Sequence, residues 1–326
     1  MGASSLSFKW LSKRAAGLLL HPTSLPGAYG VGVLGQHAFA TVDFLKEAGI
    51  DYWQMLPLGP TGFGDSPYQS LSIFAGNPYL IDFQPLLENG LLLPNELHAL
   101  EDIPADRVDF ARLYLIKQPL LRLAYRRFKE QKRAYLPNYG LFDDFQQREA
   151  HWLEAFCGYM ALKEAFNGAF WGDWPTGCRT LAAARQSREW QASAPAREAH
   201  AFNQYLFHGQ WRELKSYASQ AGIEIIGDVP IFVALDSADV WAEPHLFEMS
   251  KAGQPDVVAG VPPDYFSATG QLWGNPLYAW KAMEKDGYNW WIRRLQSAFD
   301  LFDVVRLDHF RGFHDYWRIP AGSADA

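Results

Sequence analysis

The residues of this chain best suited to chemistry stand in one short run, Val304-Val305-Arg306-Leu307-Asp308-His309-Phe310-Arg311-Gly312-Phe313. Side chains alternate along an extended strand, so Arg306 and Asp308 share a face. A guanidinium beside a carboxylate favours the ionised acid. An ionised carboxylate is what nucleophilic attack on an anomeric carbon requires. The same spacing also describes a structural ion pair at a strand end. Asp228, which follows Ile225-Ile226-Gly227, is a second carboxylate at the end of an apolar run and, taken by itself, reads more simply as a turn or capping aspartate.

Two further stretches carry polar and aromatic residues outside any periodic pattern. Gly62-Phe63-Gly64-Asp65-Ser66-Pro67-Tyr68-Gln69-Ser70 offers a flexible backbone, a carboxylate, a hydroxyl and a phenol. It is no phosphate loop, because no Gly-Lys-Ser/Thr follows and no helical spacing starts there. Asp264, Tyr265, Trp273 and Asn275 lie in a long segment of about 241–288 that is rich in proline and glycine. Residues so placed either meet a ligand or fold their own segment.

Four apolar runs end in turn or polar residues and are the strands expected to position these groups. Residues 17–20 lead into His21-Pro22-Thr23-Ser24, residues 52–58 into Gly59-Pro60-Thr61-Gly62, residues 223–226 into Gly227-Asp228, and residues 304–307 into Asp308-His309. Helical spacing precedes three of them: Ala38, Val42 and Leu45 with a stop at Gly49; Phe207, Trp211, Leu214 and Ala218 with a stop at Gly222; and Ile292, Leu295 and Phe299. Strand, helix, strand in alternation predicts an α/β fold with parallel strands and its chemistry at their C-terminal ends. Residues 85–203, with spacings such as Leu153, Phe156, Cys157 and Met160, are expected to form a mainly helical insertion between the second and third strands. The segment about 241–288, with Pro244, Pro255, Pro262-Pro263 and Pro276, is expected to be an irregular functional loop.

Composition narrows the function classes. With 326 residues, 48% hydrophobic and 20% charged, the chain has ample material for a core, and disorder is excluded. Its 36 acidic and 29 basic residues leave a net charge of −7 and no broad cationic face, so nucleic acid is not an expected partner. The first apolar stretch after Lys13 and Arg14 spans only residues 15–20, too short for a secretion signal or a membrane span, which predicts a cytoplasmic protein without membrane contact. Cys157 and Cys178 belong to no C-x-x-C pair, so neither a zinc site nor a disulfide framework is suggested. Aromatic residues reach 15%, many beside Gly, Pro, Asn or Asp, as suits either a surface that stacks on sugar rings or ordinary core filler.

Five longer motifs add what local spacing does not. Leu19-Leu20-His21-Pro22-Thr23-Ser24-Leu25-Pro26-Gly27; Pro57-Leu58-Gly59-Pro60-Thr61-Gly62 continuing to Gly64-Asp65-Ser66-Pro67-Tyr68-Gln69; Gly76-Asn77-Pro78-Tyr79-Leu80-Ile81-Asp82; Gly260-Val261-Pro262-Pro263-Asp264-Tyr265-Phe266-Ser267 with Gly270-Gln271-Leu272-Trp273-Gly274-Asn275-Pro276; and Arg306-Leu307-Asp308-His309-Phe310-Arg311-Gly312 occur in this order. Together they closely resemble the 4-α-glucanotransferases called amylomaltases or disproportionating enzymes, over about residues 17–320.

The resemblance implies a (β/α)8 barrel of the α-amylase type that cleaves an α-1,4-glucan or maltodextrin and passes the fragment to the 4-hydroxyl of an acceptor such as glucose or maltose, with retention and without metal or organic cofactor. It implies Asp308 as nucleophile and Arg306 as its ionising partner, with Tyr68, Asp228 and His309 around the sugar being cleaved. Trp273, Asp264 and Asn275 would belong to a loop covering the acceptor side. Ser66 and Phe63 are counted with the substrate-binding residues, although Phe63 stands where many relatives have a tyrosine.

The family's acid/base glutamate lies in a later Ala-Glu-Asp-Leu-Gly motif that is absent from this sequence, where no glutamate follows Glu284. The expectation is therefore about the first four barrel strands, formed by residues 1–84 and 204–326 around the 85–203 insertion and associating with a complementary C-terminal chain or with itself. An inactive or split-enzyme glucan-binding fragment and an amylase-like hydrolase are the alternative readings.

Overall fold

The computed structural model describes residues 14–27, 29–62, 64–104, 106–250 and 253–326. Among them the extended runs form β1 (Gly17–Leu19), β2 (Tyr52–Gln54), β3 (Tyr135–Leu136), β4 (Gly140–Leu141), β5 (Glu224–Pro230), β6 (Val257–Val261), β7 (Gln271–Pro276), β8 (Val304–Asp308) and β9 (Trp317–Pro320). The four runs singled out by their polar ends build one parallel sheet in the order β1-β2-β5-β8. Its register sets Asp228 opposite Arg306 and Pro230 opposite Asp308.

Parallel neighbours need crossovers. Helices Gln36–Glu47, Ala194–Ala221 and Asn289–Leu301 provide them, each running directly into β2, β5 or β8. The second ends at Gly222, whose φ of 82° is left-handed and suits a residue without a Cβ.

The third crossover helix forms where the spacing placed it, but its inward face differs. Trp290, Trp291, Arg294 and Ala298 are buried, whereas Ile292 and Phe299 stand 49% and 56% exposed. Trp290 and Trp291 instead pack against the Tyr278 ring, with centroids 5.6 and 5.5 Å away, and set the inward face.

Between β2 and β5 the chain is largely helical, including Phe110–Glu130 and Ala150–Ala165. Leu153, Phe156 and Cys157 face inward there, with Met160 half-buried. Helix Ala194–Ala221 runs unbroken through positions 203 and 204, so this stretch passes as one rod into the crossover before β5.

The segment about 241–288 is more ordered than its proline content suggests. β6 and β7 pair antiparallel, and β9 adds to the other edge of β6, giving a small sheet in the order β7-β6-β9. Residues 317–320 thus pair with a strand about sixty residues earlier in the chain. Pro262-Pro263 and Gly270 mark the ends of a hairpin, and Gly260 is small because Ile319 and the Gln271 carbonyl lie where a Cβ would stand.

Many aromatic residues serve the core: nine of the twelve tryptophans among the described residues are buried. Tyr265 and Phe266 in the β6–β7 connection are the opposite case, both nearly fully exposed. No described helix is long and apolar enough to cross a membrane.

Candidate active site

The C-terminal ends of β5 and β8 and the turn after β2 converge on one charged cluster. Asp228 sits on β5 with its side chain fully buried. Gly227, the residue before it, is backed by the Phe302 ring 2.0 Å from where a Cβ would be, so the strand lies against that ring. The Tyr68 hydroxyl donates to Asp228 Oδ2 at 2.7 Å, and Arg306 Nη1 donates to the same oxygen at 2.6 Å. The second arm of the guanidinium, Nη2, donates to Asp308 Oδ1. One planar fork therefore bridges two carboxylates, a geometry that lysine's single ammonium does not reproduce.

Exposure is graded across the cluster: Asp228 is enclosed, Arg306 is 45% exposed and Asp308 34%. Asp228 Oδ1 is buried without a hydrogen-bond partner among the described residues, a costly condition that a ligand hydroxyl would relieve. Burial raises the Asp228 carboxyl above its ordinary value, against the opposing pull of Tyr68 and Arg306. Burial and Asp228 push the Tyr68 phenol up to about 12, so it remains a donor at neutral pH.

His309 follows Asp308 in a left-handed conformation, φ 50°, which costs a non-glycine residue about 1–2 kcal/mol. Its ring meets Trp273 of β7 edge-on, with centroids 5.0 Å apart. Gln69 Nε2 donates to the Trp273 carbonyl at 3.4 Å, tying the Tyr68 turn to the β7-β6-β9 sheet. A groove of about 1070 Å³ opens beside these residues, lined by Gln69, Tyr79, Tyr114, His200 and Trp273 among others. It exceeds the roughly 300–1,000 Å³ of ordinary small-molecule sites.

The remaining sequence-derived candidates are placed differently. Ser66 folds the turn that aims Tyr68: its Oγ accepts from the Tyr68 N–H at 3.3 Å and its carbonyl from the Gln69 N–H at 3.0 Å. Asp264 Oδ1 accepts from the Phe266 and Ser267 N–H groups, both at 2.8 Å, and so shapes the tip carrying the two exposed aromatics. Asn275 is buried and donates to the Val233 carbonyl at 2.8 Å, bolting β7 to the segment after β5. Phe63 lies outside the described residues.

Sequence reasoning missed the polar residues that hold the site's scaffolding from within the core. Gln204 binds both the N–H and the carbonyl of Gly76, at 2.7 and 2.9 Å, and Gln210 does the same for Asp82, at 2.8 and 2.9 Å. Arg294 and Tyr278 grip the backbone just after Asp228. The available signal was a polar side chain at a core position of a helix, visible for Arg294 only once Trp291 and Ala298 define the inward face.

Comparison with known proteins identifies the family of the chain. The family model described as 4-alpha-glucanotransferase matches residues 20–326. The 4-alpha-glucanotransferase of Thermus thermophilus is 55% identical over 322 residues, covering 96% of this chain and 61% of that protein. That of Streptococcus pneumoniae is 49% identical over 320 residues, covering 97% and 62%. Among solved structures, the amylomaltase from Streptococcus agalactiae in complex with acarbose superposes with a TM-score of 0.89 at 42% identity, covering 96% of this chain and 63% of that one. The chain thus spans a little over three fifths of the length of these relatives.

Proposed function

The chain belongs to the 4-alpha-glucanotransferase family, and from that premise we propose that it transfers α-1,4-glucan segments to the 4-hydroxyl of an acceptor glucose, maltose or maltodextrin. The observation that carries the reading is the Arg306 bridge between buried Asp228 and half-exposed Asp308. Asp308 attacks the anomeric carbon from the face opposite the departing sugar, forming a β-glycosyl ester as the glycosidic C–O bond breaks. The acceptor hydroxyl then attacks the same carbon, expels Asp308 and restores the α configuration. Asp228 Oδ1 accepts from a hydroxyl of the sugar being cleaved, and Tyr68 and His309 bound that subsite. Trp273 covers the acceptor side, with Asp264 and Asn275 shaping the covering segment. The adjoining groove has room for an oligomeric substrate.

Each step also needs a carboxyl about 5–5.5 Å from the nucleophile, protonating the departing oxygen and then deprotonating the incoming one. The family resemblance puts that glutamate in an Ala-Glu-Asp-Leu-Gly motif, which is not in these 326 residues. We assign it to polypeptide matching the remaining length of the relatives, contiguous or supplied by a complementary chain. On this reading β1, β2, β5 and β8 are the first four strands of a (β/α)8 barrel and residues 85–203 are an insertion subdomain. The exposed Phe299 and Phe310 near β8 suit an added layer. The buried free thiols of Cys157 and Cys178 accord with a cytoplasmic location.

Incubation with maltotriose tests the reading. A ladder of longer maltodextrins with released glucose supports transfer, glucose and maltose without a ladder indicate hydrolysis, and sugar binding without turnover indicates a chain that lacks its acid/base carboxyl.

A further inference from the structure

On the reading that this cluster performs glycosyl transfer, we propose that Arg294 is a positioning residue for the reaction, fixing the end of β5 against β8 so that Asp228 and Asp308 hold the separation that Arg306 spans. Arg294 is buried on helix Asn289–Leu301, its guanidinium 4.7 Å from the Trp291 ring centroid and 5.5 Å from that of Trp290. Nη2 donates to the Pro230 carbonyl, and Nη1 donates to the Ile231 carbonyl at 3.1 Å and to the Tyr278 hydroxyl at 3.1 Å. The Tyr278 hydroxyl in turn donates to the Ile231 carbonyl at 2.7 Å.

The site of this grip matters. Pro230 is the register partner of Asp308, two residues beyond Asp228 on the same strand. A proline has no N–H, so its carbonyl is the one backbone group by which this rim position can be held. Arg294 takes that carbonyl and the next one with two arms of a single rigid fork. It also lines a small cavity together with Tyr68, Asp228 and Pro230, directly behind the cluster.

A fold that needed only stability at this position would be served by an apolar side chain, because a buried cation is costly to desolvate. No described carboxylate lies within ion-pair distance of Arg294; buried Asp239 acts on it only at longer range, and its Nε has no partner among the described residues. The arrangement spends a buried charge on holding two consecutive carbonyls. Tyr278 extends the hold to the covering segment through the same Ile231 carbonyl.

The test uses α-maltosyl fluoride, in which the Asp308 carboxylate displaces fluoride ion from the anomeric carbon with little need of a general acid. The rate of first-turnover fluoride release therefore reports the nucleophilic step without the acid/base carboxyl. Arg294→Met should lower the maximal rate by about 10- to 100-fold, the effect of a displacement near 1 Å, while the half-saturating concentration stays within about threefold. Arg294→Lys keeps the charge but not the fork and should recover only part of the rate. Tyr278→Phe should give a smaller loss of the same kind. Arg293→Met, at the neighbouring residue paired with Glu243, should change neither constant. A wild-type maximal rate in folded Arg294→Met, or a change confined to the half-saturating concentration, overturns the proposal. If circular dichroism shows Arg294→Met unfolded, a full rate in Arg294→Lys overturns it equally. Absence of fluoride release from the unaltered chain would instead overturn the glycosyl-transfer reading, and the role of Arg294 with it.

Discussion

Arg306 and Asp228 are direct register partners on β8 and β5, and the guanidinium that binds this partner also reaches Asp308 two residues further along its own strand. The nucleophile candidate is thereby linked to the buried carboxylate through one side chain. Asp308→Asn should reduce glycosyl transfer to background, a loss of roughly 10⁴- to 10⁶-fold in an otherwise intact site. Arg306→Met should also lower kcat strongly, with both aspartates left unbridged. Maltotriose turnover or maltosyl fluoride release measures both; an unaffected rate in Asp308→Asn would remove it from the nucleophile role.

Tyr68→Phe removes one donor to Asp228 and leaves Arg306 as the remaining partner. A hydrogen bond to a charged group contributes about 1.5–3 kcal/mol, so kcat/KM should fall by roughly 10- to 100-fold. The phenol itself is observable. Its pKa is held near 12 by burial and by Asp228, so Asp228→Asn should bring one tyrosine ionisation to lower pH in an ultraviolet titration. The stability Tyr68 lends the fold is present at neutral pH and lost as pH rises through about 10 to 12.

Gly227→Ala would drive a methyl group into the Phe302 ring on the strand that carries Asp228. Overpacking of this kind costs about 1–3 kcal/mol, a fall in Tm of roughly 1–5 °C for a chain of this length. A thermal melt with parallel activity measurement should show both quantities decreasing, since Asp228 moves with its neighbour.

Asp239 offers a test of pH dependence. Its carboxylate accepts from the Ile73 N–H at 3.0 Å, and burial pushes its pKa up to about 7, against the pull of that N–H and of Arg294. The folded state therefore favours the protonated acid more than the unfolded chain does. Stability from this source is present below pH 4 and lost as pH climbs through 7, up to about 4 kcal/mol in all. Asp239→Asn keeps an acceptor for Ile73 without the charge and should raise Tm at pH 8 more than at pH 5. An equal change at both values would show that Asp239 does not titrate in this range.

The parallel sheet was legible because each strand is a short apolar run that stops at turn residues, and Gly49 and Gly222 end the helices before β2 and β5. Arg306 and Asp308 were legible as a pair because strand alternation is local. That Asp228 joins them was not readable from spacing, since it depends on the register of β5 on β8. The three-stranded sheet was hidden for the same reason: Val257–Val261 becomes a strand by pairing with Gln271–Pro276 and with the distant Trp317–Pro320. Ile292 and Phe299 misled because a helical period gives a face without saying which neighbour outweighs it. Arg294 and Gln204 escaped notice because a charged or amide side chain on a helix ordinarily points to water.

The strand order also bears on how the chain assembles. β2 and β5 are immediate neighbours, yet residues 55–223 lie between them, 169 residues of largely helical polypeptide. Closing so long a loop carries an entropic cost before any sheet pairing returns it, and such non-local contacts slow folding. During synthesis the first βαβ unit must therefore persist with one edge of β2 open until helix Ala194–Ala221 and β5 emerge. In that interval the edge of β2 that later pairs with β5, with Trp53 at its centre, is open to mispairing and to capture by chaperones.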